Sequence, residues 1–583
     1  MSRNDEVAAL LEEFADLLEA KGVAYKPSSY RRAAENVREY QTPVEVLAET
    51  GEDAVADVDR VGDAIASKIV EYVETGEIEE LAELRAELPV DVEALTRVEG
   101  VGPKTVGTLY EELDVRDLDD LERAAEAGEI REVKGFGPTT EENIRDNVAF
   151  ARQAGERELL GVGRPLGETV REFVLGLAEV DAAEVAGSGR RWKPTVGDVD
   201  VLAGASDGGA VTDAFREWDR AEAVIEEGHT KASVRVDGVR VDLRVVDPAE
   251  YGAALQYFTG SQEHNVRLRN RAIDRDLKMN EYGVFDVGDV DDPERDQRVG
   301  DRVAGGTEAG MYEALDLPPI PPALREGHGE VEAAEAGELP SLVAVDDIGG
   351  DLHTHTEWSD GADTVVEMAA AAAERDRAYH VVADHADGPG VFGDIGLSEA
   401  ELREQAAVVA EVNETADVEV LHGVEANVAA DGAIPTDDGL LADLDVVVAS
   451  PHAALGQDRE TATDRLVAAV EHPQVDVLGH PTGRRLTDRA GVDPDVEAVA
   501  AAAAEHGTAL EVNANPHRLD LHGEAVRVAV DAGASIAIDT DAHAPAGLDN
   551  LRYGVHTARR GWAETADVVN ARDLDGLRAF LAE

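Results

Sequence analysis

At 583 residues the chain exceeds the ~250 to 300 residues that a single core usually reaches, so several domains are expected. It holds 124 Asp plus Glu against 53 Lys plus Arg, a formal charge of -71, yet 43% of residues are apolar and the acids run along the whole length. That excludes a disordered acidic tail and argues for folded domains with an acidic surface. Cysteine is absent, which excludes disulfides and thiolate metal sites and leaves any metal to nitrogen and oxygen ligands.

Such a surface repels itself in dilute buffer, but at about 1 M salt the Debye length is only ~3 Å and the charge serves solubility. A salt-rich cytoplasm is therefore expected. The first residues, MSRNDEVAALLEEFADLLEA, have helical periodicity but no apolar run of signal or membrane length. The expectation is a soluble, cytoplasmic monomer with no membrane contact.

Residues 1–155 read as helices joined by glycine turns. VDRVGDAIASKIVEYV from Val58, LTRVEGVGPKTVGTLYEEL from Leu95 and IREVKGFGPTTEENI from Ile130 each show an apolar residue, a tight turn and a new amphipathic helix. This is the form of helix-hairpin-helix units, whose backbone N–H groups hold a DNA phosphate without reading the base. Gly62, Gly100, Gly102, Gly135 and Gly137, with Lys104 and Lys134 nearby, are the candidate DNA contacts. A glycine-capped helix turn is the plainer reading of any one copy; the threefold repetition favours the DNA reading. Arg60 stands where the other copies have Gly100 and Gly135, which makes the first phosphate contact the least certain of the three.

Strands begin after residue 155. In SVRVDGVRVDLRVV, from Ser233, two alternating runs flank Asp237-Gly238, a favoured two-residue hairpin turn. In VGDVDVL, from Val196, the same period puts Asp198 and Asp200 on one face, opposite Val199 and Val201. Asp-x-Asp also occurs at Asp289 and Asp291 and at Asp443 and Asp445, so the spacing alone carries nothing. The surroundings do: GSGRRWKP precedes the pair, Asp242 lies on the hairpin, and YFTGSQEHNVRLR follows from Tyr257. Three carboxylates from adjacent strands can hold two divalent cations about 3.5 to 4 Å apart for in-line phosphoryl transfer. A Gly-Ser turn beside arginines can bind a triphosphate.

Residues 317–340, LPPIPPALREGHGEVEAAEAGELP, read as a stiff and then acidic linker. From Asp346 short apolar strands alternate with Ala-rich helices, which argues for a parallel α/β barrel with its site at the carboxyl ends of the strands. Thirteen of the 16 histidines lie here. His353, His355, Asp360, His385, Glu425, His452, His480, Asp541 and His543 fall at successive strand ends, a nitrogen and oxygen set suited to Zn, Mn or Fe.

The first constellation resembles the palm and thumb of family X DNA polymerases, the group that includes polymerase beta, and with the helix-hairpin-helix region the resemblance covers roughly residues 1–322. It implies that Asp198, Asp200 and Asp242 bind Mg²⁺ or Mn²⁺, with Asp242 helping to deprotonate the primer 3′-hydroxyl. It further implies that Gly187, Ser188 and Arg191 hold the deoxynucleoside triphosphate, that Tyr257, Phe258 and Gly260 line its sugar, and that Asn265 and Arg269 face the minor-groove edge of the nascent pair. Lys68 falls at the position of the family's Schiff-base lysine, and Lys26 with Tyr30 where a 5′-phosphate is held, so a deoxyribose-phosphate lyase step is implied. A hairpin lysine that touches only phosphate is the equal alternative.

The second constellation resembles the PHP phosphoesterase domain, on GDLHTHTEWSDG, VASPH, GHPTGR and DTDAH. The resemblance implies three metals: one on His353, His355, Glu425 and Asp541, a second on Glu425, His452 and His480, a third on Asp360, His385 and His543. Arg484 or Arg518 could bind substrate phosphate or be structural. The expected architecture is an all-α lyase-like region (1–88), helix-hairpin-helix fingers (89–155), an α+β palm (156–255), a thumb (256–322), a linker (323–345) and a PHP barrel (346–583). The expected function is filling of short gaps in gapped or nicked DNA with a 3′-to-5′ exonuclease or 3′-end phosphoesterase in the second half. A barrel acting on a small phosphoester or as a regulatory module, and a mainly end-binding scaffold, are the alternatives.

Overall fold

The computed structural model describes residues 3–582 apart from 24–25, 41–43, 57, 59, 97, 99, 156, 294 and 392–394. The N-terminal helices bury one continuous core from Val7 to Val148, in which Phe14 stacks on Tyr30 with ring centroids 4.5 Å apart. The three repeats share one backbone turn: Val61, Val101 and Phe136 each donate N–H to the carbonyl three residues back. Between donor and acceptor, Arg60, Gly100 and Gly135 all take positive φ, at 60°, 85° and 103°. The two glycines adopt this without strain and Arg60 does not, so the first repeat keeps the turn against its residue type. Each turn leads into a helix, Asp63–Thr75, Pro103–Leu113 and Pro138–Gly155.

The palm is a five-stranded sheet in the order Val180–Val185, Val199–Ala205, Val239–Val246, Lys231–Val236, Ala223–Glu226. The expected hairpin is present, with Val236 paired to Val239 across Asp237 and Gly238, both in the left-handed region. Val199, Val201, Val241 and Leu243 are buried in the palm core. The thumb follows, with helices Tyr251–Thr259 and Gln262–Ile273 and a three-stranded sheet from Leu277–Asn280, Gly283–Asp286 and Asp301–Ala304.

The proline- and glutamate-rich stretch departs from the expected linker. Leu324, Val331 and Ala334 join the thumb core, the Glu330–Ala336 helix is capped by Gly337, and Arg325 and Glu330 are fully buried. Arg325 pairs with Glu308, and Glu330 bonds His264 Nδ1 at 2.6 Å. Composition marked a spacer, but buried partners from distant residues fix the stretch as part of the thumb.

The C-terminal region is a seven-stranded sheet, every pair parallel and in sequence order from Gly350–Asp351 to Ile536–Asp539. Its first and last segments meet, since His355 N–H donates to Ala542 and Asp541 N–H to His353. That brings the expected barrel nearly to closure. The barrel packs on the palm: Leu519 and Tyr553 enter the palm core, and the barrel helix Leu551–Arg560 carries Tyr553.

Candidate active sites

In the palm, Asp200 and Asp242 are register partners on adjacent parallel strands, and Asp198 precedes the Val199–Ala205 strand by one residue. One carboxylate oxygen of each lies within 4.8 Å of the others. The adjoining turn requires glycine at 187: φ is 59°, and an added Cβ would stand 2.1 Å from Asp200 Oδ2. The Gly187–Arg190 turn is therefore pressed directly onto the Asp200 carboxylate. Burial, with the charges of Asp198 and Asp242, pushes Asp200 up to about 7. Burial raises Asp242 as well, but hydrogen bonds from Arg240 and Ser233 and the Lys231 charge outweigh it and leave Asp242 below its ordinary value. Three carboxylates this close suit a cation between them, which is what the donor set fits.

Arg190 bonds Glu308 and the Thr259 hydroxyl, and Arg191 bonds Glu326 at 3.0 Å and the Thr259 carbonyl at 2.7 Å. Ser188 lies in the Gly187–Arg190 helix beside them. Tyr257 and Phe258 meet edge to face at 5.2 Å, with Arg244 over the Phe258 ring. Gly260 leaves no room for a Cβ, which would lie 2.6 Å from Asn265 Oδ1. Asn265 donates to the Tyr257 and Gly260 carbonyls and accepts from Gln256, so here it organises that turn instead of presenting its amide to a base pair. Arg269 is exposed.

All nine barrel residues converge. Glu425 lies 3.4 Å from His353 Nε2, 3.7 Å from His355 Nε2, 3.2 Å from His452 Nε2 and 3.0 Å from His480 Nε2. His355 Nε2 is 3.2 Å from Asp541, and Asp360 is 3.4 Å from His385 and 3.3 Å from His543. His385 also reaches Glu425 at 2.6 Å, so it stands between two ligand groups instead of belonging to one. The Nε2 atoms of His353, His355 and His452 are buried and make no hydrogen bond. Unmet imidazole nitrogens facing carboxylates fit divalent metals.

The residues that orient these ligands were not singled out from sequence. Glu511 bonds His353 Nδ1 at 2.7 Å, Asn427 bonds His452 Nδ1 at 2.8 Å, and Asn513 donates to Asp541 at 3.1 Å. Asp384 accepts from the Thr356 N–H and hydroxyl, from Ser359 and from Gln405. A charged or amide residue inside an otherwise apolar strand, as in ALEVN at Ala509–Asn513, was the available signal. Arg518 lies 3.3 Å from Asp541 and faces the cluster, whereas Arg484 is spent on the Arg518 and Leu519 carbonyls and holds the loop. His380 is buried against Thr354 and His522 caps the Gly523–Asp531 helix.

In the N-terminal region Lys68 pairs with Glu80 at 2.7 Å and lies over the Phe14 ring. Burial lowers its ammonium, but Glu80 and Tyr30 outweigh that and hold it above the ordinary lysine value. This is the reverse of the lowered pKa that a Schiff-base nucleophile needs. Tyr30 is buried and Lys26 exposed. Gly62, Gly100, Gly102, Gly135 and Gly137 have open space where a Cβ would be, and Lys104 is 75% exposed beside Glu19. Among the described residues no helix is long and apolar enough to cross a membrane.

A family model described as DNA polymerase beta thumb matches residues 254–326, one described as a helix-hairpin-helix domain matches 2–78, and a SAM-like helix-hairpin-helix tandem matches 52–114 and 92–147. The chain is 33% identical over 581 residues, 99% of each chain, to DNA polymerase/3'-5' exonuclease PolX of Bacillus subtilis (strain 168). It is 28% identical over 250 residues to a probable phosphatase of Thermoanaerobacter sp. (strain X514), covering 40% of this chain and 94% of that one. A probable phosphatase of Edwardsiella ictaluri is 32% identical over 173 residues, 28% of this chain and 68% of its own.

Proposed function

The chain belongs to the family X DNA polymerases that carry a C-terminal PHP region, and on that premise we propose that it fills short gaps in DNA and trims 3′ ends in a second active site. One observation carries the reading: Asp198, Asp200 and Asp242 converge beside a glycine turn that no larger residue fits. Mg²⁺ or Mn²⁺ bound there would neutralise the developing charge on the transferred phosphoryl group. The chain's own part is positional. Asp200 must give up its proton before it can serve as a ligand, Gly187 and Ser188 bring the triphosphate to the carboxylates, Arg191 pairs with it, and Tyr257, Phe258 and Gly260 receive the sugar. Asn265 and Arg269 reach the nascent pair once Asn265 leaves its turn.

In the barrel, His353, His355, Asp360, His385, Glu425, His452, His480, Asp541 and His543 would hold up to three Zn²⁺, Mn²⁺ or Fe²⁺ ions, which activate water toward a phosphodiester. Arg518 faces the substrate phosphate. The helix-hairpin-helix amides at Gly62, Gly100, Gly102, Gly135 and Gly137, with Lys104, hold the DNA backbone. We assign Lys68 with Lys26 and Tyr30 to the 5′-phosphate, since the Glu80 pair keeps Lys68 charged. The acidic surface fits a cytoplasm rich in KCl, where little counterion-release energy remains.

The test uses wild-type protein, a duplex with a short 5′-phosphorylated gap and Mn²⁺ in concentrated KCl. The primer is extended to fill the gap, and shortened when nucleotides are withheld. A primer that is never extended contradicts the polymerase reading. Extension without shortening, together with phosphate release from a small ester, moves the barrel to the small-molecule reading that its phosphatase relatives support.

A further inference from the structure

Glu326 lies where palm, thumb and barrel meet. Its carboxylate accepts from Arg191 Nε at 3.0 Å and from Arg560 Nη1 at 2.8 Å, with Lys193 Nζ 4.0 Å away. Arg191 follows the nucleotide turn, Glu326 ends the thumb, and Arg560 is the last residue of the Leu551–Arg560 barrel helix. The side chains of Arg191, Glu326 and Arg560 are only 12%, 11% and 12% exposed.

The same barrel helix grips the turn at two further points. Arg560 donates to the Arg191 backbone carbonyl at 2.9 Å, and Trp192 stacks on His556 with centroids 3.6 Å apart and planes 4° from parallel. Trp192 takes φ 56°, a left-handed conformation that a bulky residue keeps only where its surroundings hold it. The main chain of the turn is thus fixed by the barrel, independently of where the Arg191 guanidinium points.

For Arg191 to meet a triphosphate it must release Glu326. A buried carboxylate stripped of its partner is heavily penalised, so the release is feasible only if another cation stays. Arg560 is the cation that stays hydrogen-bonded to Glu326, with Lys193 farther off at 4.0 Å. We propose that Arg560, in the phosphoesterase half, is a positioning residue for the polymerase half: it keeps Glu326 paired and the turn anchored while Arg191 exchanges Glu326 for the incoming nucleotide. This rests on the reading of Arg191 as a triphosphate ligand. It makes the barrel a structural component of nucleotide binding, whatever the barrel itself hydrolyses.

The experiment is single-nucleotide gap filling by the full chain, with KM for the nucleotide and kcat measured separately. Arg560→Met raises KM roughly tenfold with kcat held within about twofold, the signature of lost binding shared by ground and transition states. Arg560→Lys recovers part of the loss. Glu326→Gln in the Arg560→Met background recovers most of it, because a neutral amide no longer retains Arg191; a merely structural arginine would not be rescued in this way. An unmoved KM in Arg560→Met, or a double variant no better than the single one, overturns the proposal. If Arg560→Met does not fold, Glu326→Gln alone decides: KM falls below wild type, and an unchanged or raised KM overturns the proposal. Arg191→Ala separates the two readings. Unchanged KM there removes the triphosphate reading and the proposal with it, whereas raised KM in Arg191→Ala and none in Arg560→Met removes the proposal alone.

Discussion

The two ligand clusters of this chain face opposite electrostatic conditions. In the palm three carboxylates confront one another, Lys231 and Arg240 are paired with Asp242, and Asp200 is pushed up to about 7 by burial and its acidic neighbours against the opposing charges of Arg244 and Lys231. In the barrel the acids are interleaved with imidazoles. Burial pushes Glu425, Asp360 and Asp541 up, yet the surrounding histidines outweigh it and hold all three well below their ordinary values. The palm is a site of unbalanced charge that suits an added cation. The barrel cluster is internally paired, a donor set that could hold ions without further charge compensation.

Removing the central acid should show this contrast at its largest. Glu425→Gln takes the charge from a carboxylate that five imidazoles face. 3′ shortening should fall at least roughly 1,000-fold, the scale of about 4 kcal/mol of lost stabilisation, with extension retained. Gel assays of both activities on one preparation check it, and retained shortening would mean that the cluster is not the hydrolytic site.

The same kind of substitution should act in the opposite sense in the palm. Asp200 keeps a proton in the folded, metal-free state up to about pH 7, whereas an unfolded aspartate loses it near its ordinary value of 3.8. The folded state therefore binds more protons across that window, and stability is lost as pH rises from about 4 to about 7. Asp200→Asn removes the loss: no change at pH 4 and a gain of up to about 4 kcal/mol at pH 8, read by denaturant unfolding in chelator. A neutral or destabilising effect at pH 8 would show that the carboxylates are not in conflict. The smallest effect belongs to the orienting residues. Glu511→Gln, which loses the charged partner of His353 Nδ1, should weaken metal retention and 3′ shortening by roughly 10 to 100-fold without touching extension.

Much of this was legible in the sequence because the signals are local. Period-two alternation placed Asp198 and Asp200 on one face, and strand-end positions gathered the nine barrel residues that the structure brings together. The glycine spacing also identified the repeated turn, including the copy where Arg60 must take a left-handed conformation. What was not legible depends on pairs far apart in the chain. Residues 317–340 look like a spacer until His264 and Glu308 supply partners for Glu330 and Arg325. Lys68 reads equally as a nucleophile or a phosphate contact in the sequence, which does not show its Glu80 partner, and His556 has no role until Trp192 stacks on it. Glu511 was hidden for a different reason: its strand was recognised, but an acid in an apolar run has no motif of its own.

The most direct test of two separate active sites in one chain follows a labelled primer across a short 5′-phosphorylated gap, comparing wild type with Asp200→Ala and His355→Ala. Extension vanishing only in Asp200→Ala, and 3′ shortening only in His355→Ala, is the predicted result. Loss of both activities in either variant, or shortening that survives in His355→Ala, would contradict the account.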